Sequence, residues 1–386
     1  MSDPKHNTEC ETYLVFDFDK INKAHNGGYT FTRERLAKSR KLIMDIKEIQ
    51  AEQQGRQLRQ KRYVDSIEDK EVQRIYSVEI DDIFGITVTL HIDTDFEYMV
   101  GLYGLFGLAN NNPLQSFNDE PERSVLRYCP FYPTKTRRDV ESGQPLELLY
   151  NHIATYNKDW RDSGYSKLIE DALIKSLPAM PEVDKVVCFN IKSFDHSSAY
   201  SHSHHLAARK IAEVIGHVQG ENRKGVQEIP VYLQSKFYTR EIQKVLPALE
   251  YRLLDYCTAE GLEMVDEKTF VIALEPYDET MQACIGLTDG LGPAGMLTVQ
   301  RSIDHEKWWS GQTLPTSKAA HPLDAWITTA ELRYRKNCIQ IPFETVKDNP
   351  WFDLNTPRFE GLAPTTDGRH DYRLEWLFRK KELSSG

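Results

Sequence analysis

Four short apolar runs, separated by helical patterns, constrain the fold of this chain more than any other feature. The runs cover residues 185–191, 229–234, 251–255 and 269–275. Short apolar runs of this kind are typical of parallel strands that are buried on both faces of a sheet. Between the first two runs, apolar residues recur at the spacing of one helical face, at Ala207, Ile211, Val214, Ile215 and Val218. The pattern predicts an α/β fold with a Rossmann-like parallel sheet flanked by helices.

The segments around these runs predict four regions along the chain. Residues 1–28 are a flexible N-terminus, and residues 29–150 form an N-terminal helical and β extension. Residues 151–300 form the Rossmann-type core and include a fifth apolar run at 295–299. Residues 301–386 form a C-terminal extension packed on the core, with a helix, a strand and a last segment, 371–381, that alternates like an edge strand.

Several local signals place the ends of elements. Thr30 or Thr32 suits the N-cap of a long helix, and Pro178 ends the helix before the first apolar run. Asp81 and Asp82 lie between two alternating segments, where they predict a turn; the alternative is a cation-binding pair.

Composition and charge exclude several classes of protein. The chain has 386 residues, 40% of them hydrophobic, and a formal net charge of −10, which favours a soluble protein and argues against general coating of nucleic acid. No run of 18 apolar residues spans a membrane, and the first ten residues lack the apolar core of a secretory signal. Six scattered cysteines without CxxC spacing predict reduced thiols in a cytoplasmic protein, with no zinc site.

One segment is basic although the chain is acidic. Residues 33–62 contain ten Lys or Arg and four Asp or Glu, so this segment carries +6 and the remainder −16. One interpretation is a helix that binds RNA phosphates, through Arg56, Arg59, Lys61 and Arg62, together with a second basic cluster at Lys135, Arg137 and Arg138. The alternative is a solvated helix face with ion pairs between residues four apart.

The polar residues that follow the predicted strands are the candidate site residues, because ligands bind beyond the carboxyl ends of parallel strands. The candidates for ligand binding are Asn190, Lys192, His202, His205, Gln234, Tyr238 and Glu275. The loop after the first strand also contains Ser193 close to histidines, the minimal set for a nucleophile. The alternative is that this loop caps the next helix, with Ser203 as its N-cap, as Thr239 would cap the helix after the second strand.

Acidic residues follow the third strand. Asp255 and Glu260 lie at the predicted carboxyl edge, where they would bind a cationic group or act as a general base. The closely spaced histidines have no acid at ligand spacing, so no metal site is predicted.

A series of motifs resembles the fungal branch of the "sensitivity to red light reduced" (SRR-like) family. The matching segments read VVCFNIKSF, SHSHHLAARKIAEVI, VYLQSKFYT and LLDYCTAEGLEMVDEKTFVIALEP, and the resemblance covers roughly residues 30–299. The sequence departs from the family at several positions. Asn190 and Lys192 stand where the family prefers glycine, Ser235 and Lys236 replace an Asp-Pro pair, and Tyr256 replaces a second Asp.

The resemblance implies a function. Some fungal members look like arginine-containing cyclodipeptide synthases, which join two aminoacyl groups from charged tRNAs into a diketopiperazine. Carried over to this chain, this implies a tRNA partner, no cofactor, and catalytic roles for Asp255, Glu260 and Ser193. The alternative is a non-catalytic regulator of clock, stress or haem-metabolism signalling that binds a small molecule or a protein. A nucleotide-binding oxidoreductase is disfavoured, because no GxGxxG follows Ile191.

Overall fold

The structure is a computed structural model. It describes residues 23–24, 29–61, 76–82, 84, 86–92, 96–102, 104–106, 127–136, 145–191, 199–221, 228–274, 280–299, 329–344 and 374–381. The helices are α1 (Arg33–Lys61), α2 (Leu146–Asp162), α3 (Tyr165–Ser176), α4 (Ala199–Glu221), α5 (Arg240–Val245), α6 (Glu260–Met264), α7 (Thr280–Leu287) and α8 (Thr329–Lys336). The strands up to the centre of the chain are β1 (Tyr76–Asp81), β2 (Thr87–Ile92), β3 (Glu97–Gly101), β4 (Gly104–Phe106), β5 (Arg127–Cys129) and β6 (Tyr132–Thr136).

The remaining strands form one seven-stranded sheet. They are β7 (Lys185–Phe189), β8 (Val231–Gln234), β9 (Tyr251–Leu253), β10 (Thr269–Ala273), β11 (Gly295–Val299), β12 (Cys338–Pro342) and β13 (Leu374–Arg379), in the spatial order β12-β13-β11-β10-β7-β8-β9. The five strands from β11 to β9 are mutually parallel, and β13 is antiparallel to both of its neighbours. The five predicted apolar runs are therefore confirmed as parallel strands of an α/β fold.

The last strand differs from its prediction as an edge strand. All six residues of β13 are buried, and the strand lies between β11 and β12, which forms the edge. Trp376 stacks on Phe378 at 5.6 Å between ring centroids, and both rings contact Phe270 of β10. The prediction was wrong because alternation of residue types does not reveal that the polar Glu375 is also buried.

Helices cover both faces of the sheet. On the first face, Ile169 of α3, Ile211 of α4 and Ile242 of α5 share a core with strand residues Val186 and Cys188. The second face is covered by four helices, α1, α6, α7 and α8. Their residues Ile43, Leu262, Cys284 and Tyr334 share a core with Val187 and Phe189, which alternate with Val186 and Cys188 along β7. Helix α1, predicted within an N-terminal extension, thus shares this core with residues of the central sheet, while its contacts with strands are mainly with β3 and β6.

Local capping explains where two predicted elements begin. The backbone N–H of Arg35 donates to Thr32 Oγ1 at 3.3 Å, as expected for an N-cap at the start of α1. Asp82 Oδ1 accepts from the backbone N–H groups of Phe84 and Ile86 at 2.9 and 2.8 Å, so the acidic turn between β1 and β2 is also confirmed.

The predicted N-cap of α4 is wrong. The helix begins at Ala199, so Ser203 lies inside it and is fully buried. The apolar periodicity begins only at Ala207, because the first turns of α4 bury His202 and His205 instead of aliphatic residues. The start of the helix could therefore not be predicted from apolar periodicity, because polar residues occupy the buried face of its first turns.

Candidate functional site

The order of strands places a crevice at the carboxyl end of β7. From β7 the chain proceeds outward to β8 and β9 through helices on the first face, and then returns to β10 and β11 through helices on the second face. In open parallel sheets, ligands bind where the strand order reverses, which here lies between β7 and β10. Asn190 follows β7 directly, whereas the predicted site residues Lys192, Ser193 and Glu275 lie outside the described residues.

Asn190 turns the chain sharply at the end of β7. Its φ of 54° lies in the left-handed region, which asparagine tolerates better than most residues other than glycine. Its backbone N–H donates to the carbonyl oxygen of Gln234 at 2.9 Å, so the first residue beyond β7 is joined to the last residue of β8. The backbone conformation gives a physical reason for asparagine or glycine at this position.

Gln234 connects the sheet edge to helix α6. Its side-chain Oε1 accepts from the backbone N–H of Gly261 at 2.7 Å. A Cβ atom on Gly261 would lie 3.0 Å from both Gln234 Oε1 and a ring carbon of Phe189, so a larger residue would have to displace one of these side chains slightly. The predicted ligand-binding amide is thus engaged with the start of a helix.

Asp255 and Glu260 form a connected acidic turn after β9. Asp255 Oδ1 accepts from the backbone N–H of Cys257 at 2.8 Å, and the backbone N–H of Asp255 donates to Glu260 Oε2 at 2.9 Å. Lys47 Nζ of helix α1 lies 3.2 Å from Asp255 Oδ2. The side chains of Asp255 and Lys47 are 40% and 45% exposed, so a ligand can reach both.

Lys47 was missed by sequence reasoning, although a signal was present. Arg33, Arg40 and Lys47 recur at seven-residue intervals, which places them on one stripe of α1. Arg33 donates to the backbone oxygens of Glu263 and Val265, and Arg40 pairs with the Glu263 carboxylate. This stripe fixes α1 along the segment that contains α6.

The remaining basic residues of α1 are only partly described. Glu34 and Lys38 form an ion pair four residues apart at 3.2 Å, as the solvated-face interpretation predicts. Arg56, Arg59 and Lys61 lie on the last turns of α1, where the structure describes only the backbone. Arg62, Arg137 and Arg138 lie outside the described residues.

Lys135, from the second predicted basic cluster, lies next to α1. Its Nζ is 4.6 Å from the centroid of the Phe96 ring, and the Phe96 carbonyl accepts from Gln50 Nε2 at 2.7 Å. Lys135 is the member of its cluster that the structure describes, and Arg56 follows Gln50 on α1 by less than two helical turns.

His205 and Tyr238 lie in the core of the first face, away from the acidic turn. His205 is 1% exposed and Tyr238 6%, and His205 Nε2 is 3.0 Å from Tyr238 Oη. The hydroxyl of Tyr251 donates to the His205 carbonyl at 2.9 Å. Burial, with a smaller effect of Cys188, raises the pKa of Tyr238 well above its ordinary value, so this hydroxyl stays protonated. Thr239, next to it, caps α5 by accepting from the Ile242 backbone N–H, as predicted.

His202 is also buried, against helix α2. Its Nε2 lies 3.3 Å from Asn157 Oδ1, and its ring centroid lies 5.5 Å from that of Tyr156. Burial, and then the nearby His205, lowers the pKa of His202 to about 3, so the imidazole is neutral at physiological pH. Asn157 and Tyr156 carry no sequence signal for this contact, because they precede His202 by more than forty residues.

The described residues contain no group of three or more histidine, cysteine or acidic side chains arranged to hold a metal ion. Within the same ranges, no helix combines the length and apolarity that crossing a bilayer requires. Within the described residues, five cysteines are buried and form no disulfide, among them Cys129, whose pKa is raised to about 12 by burial and by Asp82 and Asp81. These thiols are therefore poor nucleophiles at neutral pH.

Comparison of the chain with protein-family models, with curated proteins and with solved structures gave no match.

Proposed function

We propose that the chain binds aminoacyl-tRNA and transfers aminoacyl groups to form a cyclic dipeptide at the carboxyl edge of the sheet. The observation that supports this proposal best is the Lys47–Asp255 pair, at 3.2 Å. The pair joins the basic helix, the candidate tRNA-binding element, to the acidic turn, the candidate reaction site. A polyanion on α1 and a cationic aminoacyl group at Asp255 would therefore be neighbours.

The topology supports this location. In chain order, the five parallel strands are arranged 3-2-1-4-5, which is the order of a Rossmann-like sheet. Asn190 follows β7, Gln234 is the last residue of β8, and their backbones are joined by a hydrogen bond. Three predicted site residues thus lie at the carboxyl ends of three adjacent strands, β7, β8 and β9, on the side where ligands bind in such sheets.

The length of α1 supports a tRNA partner. Arg56 and Lys61 lie nine and fourteen residues beyond Lys47, which corresponds to about 14 and 21 Å along a helix. Phosphates bound by these residues would hold the RNA while its aminoacylated end reaches the acidic turn. Lys135 lies beside the same helix and extends the basic surface.

The proposed chemistry needs no cofactor, because the aminoacyl ester is already activated. The amine of one aminoacyl group attacks the ester carbonyl of the other, and the ribose oxygen of the tRNA leaves as a hydroxyl group. A second attack by the remaining amine closes the ring and releases the second ribose hydroxyl group. Each attacking amine must lose a proton, and the carboxylates of Asp255 and Glu260 are the candidate acceptors.

The direct test is to incubate the protein with charged total tRNA and to search for cyclic dipeptides by mass spectrometry. Asp255→Asn keeps an oxygen that accepts from the Cys257 N–H but removes the negative charge. We expect product formation to fall by about 100-fold or more, because general-base catalysis contributes about that factor. Asp159→Asn, an exposed acid on α2, is the matched control. Full turnover by Asp255→Asn would exclude Asp255 from the reaction.

The tRNA contact is tested separately by charge reversal. Arg56, Arg59 and Arg62 are replaced together by glutamate, and tRNA binding is measured across a series of salt concentrations. We expect weaker binding and a shallower dependence on salt, since each lost phosphate contact reduces the logarithmic slope by about 0.7–0.9. Reversal of three exposed lysines, Lys158, Lys167 and Lys175, changes the net charge equally and serves as control. An unchanged slope in the arginine variant would assign this part of α1 to the solvated-face interpretation.

The second candidate is a non-catalytic regulator that binds a small molecule or a protein. It is favoured by the partners of Asp255, since one carboxylate oxygen accepts from Cys257 and the other pairs with Lys47. In that case the acidic turn is a structural element, and Asp255 holds α1 on the sheet. Absence of both product and tRNA binding would support the regulator.

A further inference from the structure

An exposed aromatic ring lies beside the basic helix and close to the acidic turn. Phe96 immediately precedes β3, and 40% of its surface is exposed. Lys135 of β6 places its Nζ 4.6 Å from the ring centroid. An exposed phenylalanine with a lysine at its face combines a stacking surface and a positive charge.

Helix α1 holds Phe96 near Asp255. Lys47 and Gln50 are three residues apart on one face of the helix; Lys47 contacts Asp255 Oδ2 at 3.2 Å, and Gln50 donates to the Phe96 carbonyl at 2.7 Å. A second link joins the same parts, since the backbone N–H of Val100 in β3 donates to the carbonyl of Cys257 at 2.9 Å. Helix α1 and β3 therefore both connect the segment that carries Phe96 to the acidic turn.

We infer that Phe96 and Lys135 form a subsite for an unpaired nucleotide of a bound RNA, with the base stacked on Phe96 and the adjoining phosphate paired with Lys135. This inference rests on the RNA-binding part of the proposed function. Proteins that bind single-stranded nucleic acid combine aromatic side chains, on which bases stack, with a basic surface that follows the phosphates. Lys135 at the ring and the basic residues in the last turns of α1, which follow Gln50 along the helix, would supply that basic surface.

The test compares two labelled probes by fluorescence anisotropy. One is an octamer of adenylate ribonucleotides, and the other is an abasic octamer with the same number of phosphates. We expect the full-length protein to bind the adenylate octamer at least about fivefold more tightly, because stacking of one base on an aromatic ring contributes about 5- to 150-fold. Phe96→Leu should remove most of this preference, and Phe96→Tyr should keep it.

Two further variants separate stacking from charge. Lys135→Gln should weaken binding of both probes to a similar extent, because both carry the phosphates. Tyr150→Ala, which removes a 46% exposed ring from α2, should leave binding of both probes unchanged. Equal affinity of the wild-type protein for the two probes, or an undiminished preference in Phe96→Leu, would overturn the inference.

The outcome is distinguishable from that of the proposed reaction, because no product is measured. A protein that forms cyclic dipeptides without base preference retains the proposed function and loses the Phe96 subsite. A protein with base preference at Phe96 and no product retains the subsite and loses the proposed chemistry.

Discussion

Replacement of Arg335 by methionine is expected to destabilise the protein by about 3–5 kcal/mol, as loss of one partner from a buried ion pair does. Arg335 is 2% exposed; its Nε lies 3.0 Å from Glu331 Oε1 and its Nη1 2.5 Å from Glu375 Oε1. Burial alone would lower the pKa of Arg335, but the two carboxylates outweigh burial and raise it. Without the guanidinium, two buried carboxylates on α8 and β13 would face each other. Urea unfolding followed by circular dichroism measures the loss.

Two comparisons make this prediction specific. Arg333→Met changes an exposed arginine on the same helix and is expected to alter stability by less than about 1 kcal/mol. The triple variant Arg335→Met, Glu331→Gln and Glu375→Gln removes all three charges and should recover part of the loss. If Arg335→Met unfolded at the same urea concentration as Arg333→Met, the triad would contribute nothing to stability.

Lowering the pH from 6.5 to 5 is expected to cost the protein about 2 kcal/mol through His202 alone. The pKa of His202 is lowered from 6.5 to about 3 by burial and by His205, so below pH 6.5 the unfolded chain binds a proton that the folded chain does not. Protonation therefore favours the unfolded state, at about 1.4 kcal/mol for each pH unit. The loss begins at pH 6.5 and continues until the folded form itself is protonated near pH 3.

The pH effect is measured as urea unfolding of wild type and of His202→Gln at pH 6.5 and pH 5. Glutamine does not titrate and can still donate to Asn157, so the variant should lose less stability than wild type over this interval. His217→Gln removes an exposed histidine of the same helix and should behave like wild type. Carboxylates such as Asp266 affect stability only at lower pH. Burial would raise the pKa of Asp266, but hydrogen bonds from Lys185 and Thr269 hold it below 3.8. If wild type and His202→Gln lost the same stability between pH 6.5 and pH 5, His202 would not be the source of the pH effect.

The parts of the fold that were predictable carry local signals. The apolar runs that became β7 to β11 are continuous along the chain, and burial on both faces requires such continuity in a parallel strand. The N-caps Thr32 and Thr239 bond to N–H groups three residues later, so their chemistry is contained in a few residues. Because these signals involve residues that are close together along the chain, the corresponding elements can be predicted from the sequence.

The parts that failed depend on contacts that are distant along the chain. The interior position of β13 depends on pairing with β11, and the start of α4 depends on the packing of His202 against α2. The pair of Lys47 and Asp255 joins residues 208 positions apart. No local pattern encodes such a pairing.

The candidate site shows the same division. It was predictable that the polar residues at the ends of parallel strands lie at one edge of the sheet, because topology dictates this placement. The partners of these side chains were not predictable. The Gln234 side chain accepts a hydrogen bond from the backbone of Gly261, and Asp255 forms an ion pair with Lys47. His205 and Tyr238 follow the same sequence logic but lie in the core, because a helix that begins beyond a strand can turn its polar residues inward.

The interior position of β13 has a consequence for synthesis of the protein. The five parallel strands end at residue 299, whereas the residues that pair with β11 on its other side are 374–379. While the intervening residues are being translated, β11 presents an unpaired row of backbone groups, which is the kind of edge that recruits strands from other chains. The nascent protein therefore lacks the partner of this strand until late in translation, and a pause between residues 300 and 374 would lengthen that interval.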